Sequence, residues 1–332
     1  MNIFDKIYQR AKSNPKKIVL SEGDEPRVIE AASDAAKENL ARIILLGKAD
    51  LILEKAGKNN LDIAKIEIID PEKDKKLIDY INAYLQLRRH RKVTYRQAEL
   101  LFKENLTYFA AMMLREERVD GFVAGACYKT SDVVRAALHC IKKDPAHSVA
   151  SGSFLVQTKD SSYGEKGLFL FADCAIVPLP KVQELADIAI TSAETWVEVT
   201  GFQPRVAMLS FSTKGSSSHP CLDKVRQACE MVKKQRPDLI IDGELQVDSA
   251  IEPEVARIKA AQSPLSGRAN ILIFPNLEAG NIAYKLMQRL ALARVAGPLI
   301  QGLSRPCSDL SRGASPKEIV DAIAVTAVRA QC

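Results

Sequence analysis

Short runs of Val, Ile and Leu recur along this chain between longer segments of helical period. That alternation constrains the fold more than any other feature of the sequence. A few consecutive apolar residues bounded by turn formers read as a strand buried on both faces, and such a strand needs helices above and below it. The expected fold class is therefore α/β, with a largely parallel sheet. The predicted strands are Lys17–Leu20, Ile43–Leu46, Ile66–Ile69, Gly121–Ala124, Val149–Gln157, Gly167–Ala172, Val206–Phe211, Leu239–Ile241, Ile271–Phe274 and Pro298–Ile300. Amphipathic segments at Pro26–Asn39, Val182–Thr200, Cys221–Gln235, Ala279–Leu292 and Pro316–Ala330 supply helices, the last with Ser315 as N-cap and Pro316 in its first turn. Glu72–Glu117 is a helical interval without a strand.

The chain has 332 residues, 47% of them hydrophobic and 27% charged, enough for two ordinary globular domains. No repeat and no Pro/Gly/Ser-rich linker separates them. The expected division is residues 1–146 with 300–332, and residues 147–299. The final helix returns to the first domain because a terminal helix needs a partner for its apolar face.

Composition removes several function classes. No apolar run reaches the roughly 18 residues that span a bilayer, and Met1–Pro15 is charged and amphipathic, without a signal-peptide core. A cytoplasmic protein with no membrane partner is expected. The seven cysteines are an odd number and form no CxxC pair, so they are read as reduced thiols. The four histidines show no HExxH or CxxH spacing, so no metal is expected. A net charge of +6 is modest, and the run Arg88-Arg89-His90-Arg91-Lys92 lacks the interleaved aromatics of a single-strand binder. A small polyanion accounts for the charge as well as nucleic acid does, and a solvated helix face accounts for most of it.

In open parallel sheets the ligand lies beyond the carboxyl ends of the strands. Here those positions are rich in small and polar residues: Gly125–Asp132, Ser212–Ser218, Asp242–Asp248, Pro275–Asn281, and Gln301-Gly302-Leu303 followed by Asp309-Leu310-Ser311-Arg312-Gly313. Loops that run into helices turn backbone N–H groups toward an anion, phosphate being the natural guest, although each alone is more often a plain capping turn and only their convergence favours a site. There is no GxxxxGK[ST], no GxGxxG after the first strand and no GxSxG, so ATP, NAD and serine-hydrolase chemistry lose support. Arg88, Arg135 and Arg312 are suited to gripping phosphoryl oxygens. A surface ion pair is the alternative for each. Glu318, in the first turn of the last helix, reads on position alone as a cap.

Longer segments carry a family resemblance. Val206–Ser216, Asp242–Asp248, Glu278–Lys285, Gly297–Leu303 and Asp309–Gly313, in a chain that matches from Ser21-Glu22-Gly23-Asp24-Glu25-Pro26-Arg27 onward, closely resemble the phosphate acetyl/butyryltransferases. The resemblance implies two α/β/α domains of the isocitrate/isopropylmalate dehydrogenase type, with the active site in a cleft between them, and a homodimer. It implies reversible acyl transfer between acetyl phosphate and coenzyme A by direct thiolate attack in a ternary complex, without cofactor.

By matching motif, Ser311 would hydrogen-bond the thiolate, Arg312 would hold the substrate's developing charge, and Glu318 would stand where many members have an Asp base. Arg88, Arg135, Thr130, Ser131, Thr213, Lys214, Asn281, Tyr284, Lys285 and Gln301 would bind phosphate or coenzyme A. Tyr128-Lys129 and Ala136 depart from the family pattern. Ser192–Trp196, His219-Pro220-Cys221 and Glu318 resemble its ethanolamine-utilization branch. A butyryl- or propionyltransferase, or a non-catalytic sensor of acetyl-CoA or phosphate, are the alternatives.

Overall fold

Each predicted apolar run is a strand in the computed structural model, which describes residues 3–332. Met1 and Asn2, the start of the charged opening stretch, lie outside the described residues. The chain forms two compact units, Met1–Lys143 with Leu303–Cys332, and Asp144–Gly302. Each boundary lies three residues from the expected one, so Asp144–Ala146 and Ile300–Gly302 fall in the second unit.

The first unit runs α1 (Ile3–Ser13), β1 (Lys17–Leu20), α2 (Pro26–Lys37), β2 (Arg42–Leu46), α3 (Ala49–Lys58), β3 (Glu67–Ile69), α4 (Leu77–Leu87), α5 (Tyr95–Glu104), α6 (Thr107–Arg115), β4 (Gly121–Ala124) and α7 (Thr130–Cys140). The second runs β5 (Ser151–Gln157), β6 (Leu168–Ala172), α8 (Val182–Thr200), β7 (Arg205–Leu209), α9 (Pro220–Gln235), β8 (Ile240–Leu245), α10 (Val247–Ile251), α11 (Pro253–Lys259), β9 (Ile271–Ile273), α12 (Leu277–Arg289) and β10 (Arg294–Gln301). The chain then re-enters the first unit as β11 (Cys307–Asp309) and α13 (Pro316–Arg329).

Strands of the first unit lie in the order β3-β2-β1-β4-β11, all parallel. Their residues are apolar on both faces because helices cover both. On one face α13 packs against α1, α2 and β4. Gly121 permits that approach, since a Cβ there would lie 2.7 Å from Thr326 Cγ2 of α13. β11 was not predicted: Cys-Ser-Asp is too short and too polar to stand out as an apolar run.

In the second unit the order is β10-β5-β6-β9-β7-β8. β5 runs antiparallel to both of its neighbours, β10 and β6, and the remaining pairs are parallel. The interval between β5 and β6 is too short for a crossover helix, so the two close as a hairpin. Its tight loop places Gly164, Lys166 and Gly167 at positive φ. α8, expected to be amphipathic, is buried nearly all round, with Trp196 among the largest fully buried side chains. It packs against β6, β7, β9, β10 and α9, so little of it is left to face water.

Candidate active site

β1, β4 and β11 are adjacent and parallel, so their carboxyl ends bring together three segments distant in sequence: Ser21–Glu25, Gly125–Lys129 and Leu310–Ser315. Arg27, in the first turn of α2, ties them. Its Nη1 donates to the carbonyls of Arg312 at 2.8 Å and Ala314 at 2.9 Å, and its Nη2 to the carbonyl of Ala126 at 3.1 Å. Its Nε donates to Glu25 Oε1 at 2.7 Å. Every arm of the guanidinium fork is thereby spent on holding the turns.

Held this way, Ser311, Arg312 and Gly313 remain exposed. The Ser311 carbonyl accepts from Ala314 N–H at 2.8 Å, and Ser311 Oγ accepts from Gly313 N–H at 3.3 Å. Ser311 and Arg312 are thus exposed on a turn fixed by backbone bonds. Glu318 forms the predicted cap: its Oε2 accepts from Ser315 N–H at 2.6 Å and Ser315 Oγ at 2.9 Å, and Ser315 Oγ accepts from Glu318 N–H at 3.4 Å. This reciprocal box starts α13 directly after the turn.

Two of the loops read as phosphate cradles, Gly125–Asp132 and Ser212–Ser218, hold anions of the chain itself. Glu22, 5% exposed, places Oε1 on the N–H groups of Gly125, Cys127 and Tyr128 at 2.9, 3.0 and 3.2 Å. In the second unit Asp173, in a loop not among those predicted, accepts in the same way from the N–H groups of Ala175, Ile176 and Val177 at 2.6, 3.0 and 2.9 Å. Glu244 accepts from Gly215 N–H at 2.9 Å and Ser212 Oγ at 2.9 Å. These cradles are therefore occupied. A buried carboxylate satisfied by converging N–H groups rigidifies a loop as a bound phosphate would.

Arg88 and Arg135, far apart in sequence, meet around His139 of α7. Burial, and then the charges of Arg88, Arg135 and Arg91, push the imidazole down to about 4, so it is neutral at physiological pH. The hydroxyls of Tyr84 and Tyr108 each lie 3.4 Å from its Nδ1. Arg135 also pairs with Asp132 at 2.9 Å, while the buried Arg88 Nε has no hydrogen-bond partner among the described residues. Thr130 and Ser131 open the same helix, with Ser131 exposed. Tyr128, one of the departures from the family pattern, accepts from Leu106 N–H at 3.1 Å and fastens its loop to the start of α6.

The predicted binding residues of the second unit are placed differently from one another. Thr213 is buried, its Oγ1 3.2 Å from Ser249 Oγ and accepting from Gln246 N–H at 3.0 Å. Lys214 pairs with Asp242 at 2.6 Å. Gln301 is fully buried and donates to Ser151 and Ser192, each at 2.9 Å. Tyr284 is buried and stacks on Phe154 with centroids 4.0 Å apart. Asn281 donates to the Cys174 carbonyl at 3.1 Å, and Lys285 is exposed, its Nζ 5.0 Å from the Tyr284 ring centroid.

Cys127 does not offer a nucleophile here. Burial, and then the hydrogen bond to Glu25 Oε2 at 3.4 Å, push the Cys127 thiol up to about 11. Among the described residues no cluster of three or more His, Cys, Asp or Glu side chains is placed to hold a metal ion, and no helix is long and apolar enough to cross a membrane. Sequence reading missed Arg27, Glu22 and Asp309. The first two could have been found, because they follow a predicted strand and fall inside the Ser21–Arg27 match. Asp309 needed β11.

Fold and turn together define a class: an α/β protein whose strand ends present an exposed Ser-Arg pair on a clamped turn, with a second pair of arginines in the same unit, Arg88 directly after α4 and Arg135 on α7. Comparison with known proteins supplies the family. The model of the phosphate acetyl/butaryl transferases matches residues 2–327. The chain is 51% identical to the phosphate acetyltransferase of Thermoanaerobacterium thermosaccharolyticum over the whole of both chains, and 48% identical to that of Clostridium acetobutylicum over 100% of this chain and 99% of the other. Among solved structures it is similar to a phosphotransacetylase from Streptococcus pyogenes (39% identity, TM-score 0.91) and to the EutD phosphotransacetylase from Staphylococcus aureus (38%, TM-score 0.87), each covering 99% of this chain and 98% of the other. The chain belongs to the phosphate acetyl/butaryl transferase family.

Proposed function

We propose that this chain is a phosphate acetyltransferase, moving an acetyl group reversibly between acetyl phosphate and the thiol of coenzyme A. The observation that carries the reading is the exposed Ser311–Arg312 pair, held at three strand ends by Arg27 in a chain that matches its family end to end.

A base removes the thiol proton, and the thiolate attacks the acyl carbon. The C–S bond forms as the C–O bond to phosphate breaks, and phosphate leaves with the electron pair. A thiol of ordinary pKa, about 8.5, is mostly protonated at neutral pH, so a base and a hydrogen-bonding hydroxyl raise the reactive fraction. Ser311 Oγ serves as that hydroxyl. Arg312 neutralises charge on the carbonyl and the leaving phosphate. Glu318 is the base, by way of a carboxylate that also caps α13.

Arg88 and Arg135 bind further anionic groups of coenzyme A, favoured by the neutral His139 beside them. Thr130 and Ser131 at the start of α7, and the exposed Lys285, are secondary contacts. Lys214 and Asn281 are weaker candidates because each is already bonded within the protein. Thr213, Tyr284 and Gln301 are read as structural. The enzyme needs no cofactor and works as a cytoplasmic homodimer, with no nucleic-acid or membrane partner. Support for these last points comes from composition and the family resemblance, and sedimentation of the purified protein tests the dimer.

The direct test mixes purified protein with coenzyme A and acetyl phosphate and follows the thioester. Propionyl and butyryl phosphates in parallel measure acyl preference. No thioester from any of them, with both ligands bound, refutes the reading.

A further inference from the structure

We propose that Asp309 is a positioning residue of the acyl-transfer site, which must carry a proton for the adjoining Ser311–Arg312 turn to accept its anionic substrates. The inference rests on the acyl-transfer reading above. Asp309 ends β11, in register with Ala124 of β4, two residues before Ser311. Its side chain is 0% exposed, and neither carboxyl oxygen has a hydrogen-bond partner among the described residues.

Space for this carboxyl is created by a glycine. Gly125 has φ +104°, and a Cβ there would overlap Asp309 Oδ1 and come within 2.8 Å of Leu310 N. The N–H groups of the same loop are unavailable to Asp309, because Glu22 takes those of Gly125, Cys127 and Tyr128. Thr130 of α7 and the Leu310 N–H are close enough to favour the ionised form, without reaching hydrogen-bond geometry.

Charged and titratable groups around Asp309 give it no counter-ion. Glu22, in the β1–α2 turn, is itself an acid, raised by burial against the pull of its N–H donors. Cys307 on the same strand is a neutral thiol, pushed up to about 12 by burial. From α13, Arg329 reaches back to the Cys307 carbonyl at 3.5 Å, and Asp321 accepts from Tyr8 at 2.7 Å. Burial pushes the Asp309 carboxyl up to about 7, and Glu22 adds to the rise.

Ionisation would therefore place an unpaired negative charge, poorly screened, beneath a turn that must receive acyl phosphate and thiolate. Substrate capture and phosphate departure both suffer when like charge sits at such a site. The side chain needs no contact with substrate to exert this effect.

The test measures kcat and KM for acetyl phosphate at saturating coenzyme A, from about pH 6 to about pH 8.5, in the wild type and in Asp309→Asn. If only the protonated form turns over, wild-type kcat/KM relative to the variant falls roughly tenfold per pH unit above the midpoint. Taking the ratio cancels the titration of coenzyme A and of the other residues. A ratio constant with pH overturns the proposal, including when the variant is slower or less stable at every pH. Should the Asn variant not fold, the wild type supplies the second test: the alkaline limb of kcat/KM must coincide with ionisation of the Asp309 carboxyl followed by 13C NMR, and a carboxyl that ionises without loss of kcat/KM overturns the idea. A wild type that forms no thioester refutes the acyl-transfer reading itself. Activity with a flat ratio refutes only the role of Asp309.

Discussion

Arg27 and Arg312 are joined through the backbone: the Nη1 of Arg27 donates to the Arg312 carbonyl at 2.8 Å while the Arg312 side chain stays exposed. One arginine thus aims another. Replacing Arg27 by Lys keeps a positive charge but loses the planar fork that reaches Arg312, Ala314 and Ala126 together. Turnover is expected to fall about ten- to a hundredfold, the scale of a misplaced reacting group, with a smaller change in KM. Steady-state kinetics of Arg27→Lys checks this, and wild-type kcat would show that the clamp is idle.

Arg312→Ala removes the exposed guanidinium itself. The expected loss in kcat is about 10²–10³-fold, as for removal of a donor aimed at developing charge. Cys127→Ala should leave kcat within about twofold, because a thiol pushed up to about 11 is protonated at neutral pH and a poor nucleophile. Assaying both variants side by side separates direct transfer from an acyl-enzyme route. A dominant cysteine effect would favour the acyl-enzyme.

Glu318 offers a separation of roles. Gln at this position retains an oxygen that can accept from Ser315, so the cap survives and thermal stability changes little. Basicity is lost, and kcat should drop by about 10²–10⁴-fold. Equal kcat with an intact melting profile would assign Glu318 to capping alone.

The second unit carries a stability prediction with a pH sign. Burial would raise the Glu244 carboxyl, but the Arg226 fork, at 3.0 Å to each oxygen, and the Gly215 N–H outweigh it and bring it down to about 2. The folded value lies below the unfolded one of about 4.3, so the unfolded chain takes up the proton first as pH falls. This contribution is complete above about pH 4.3 and is lost as pH falls through about 2. Arg226→Leu leaves the Glu244 carboxylate without its counter-ion and should lower the urea unfolding midpoint at neutral pH. An unchanged midpoint would show that water or other donors replace Arg226.

Strand runs, helix starts and the outline of the fold were legible in the sequence because apolar periodicity and capping chemistry are local properties. Lys17–Leu20, Gly121–Ala124 and Val182–Thr200 have the predicted bounds for that reason. The Ser315–Glu318 box was readable from four residues. The antiparallel placing of β5, β6 and β10 was not anticipated, since an apolar run carries no direction. β11 was invisible, being short and polar.

The sequence alone determined the residue types at the strand ends, the Ser-Arg turn and the family to which those motifs point. Only the tertiary structure decided what those residues do for one another. It brought Glu22 to the Gly125–Tyr128 loop, so that a cradle suited to phosphate holds a carboxylate of the chain itself. It gathered Arg88 and Arg135 around one neutral histidine, and set Arg27 beneath Arg312. The physical reason is parallel pairing: β1, β4 and β11 converge at their carboxyl ends from positions far apart in the chain, and neither helix period nor strand length reports which ends will meet.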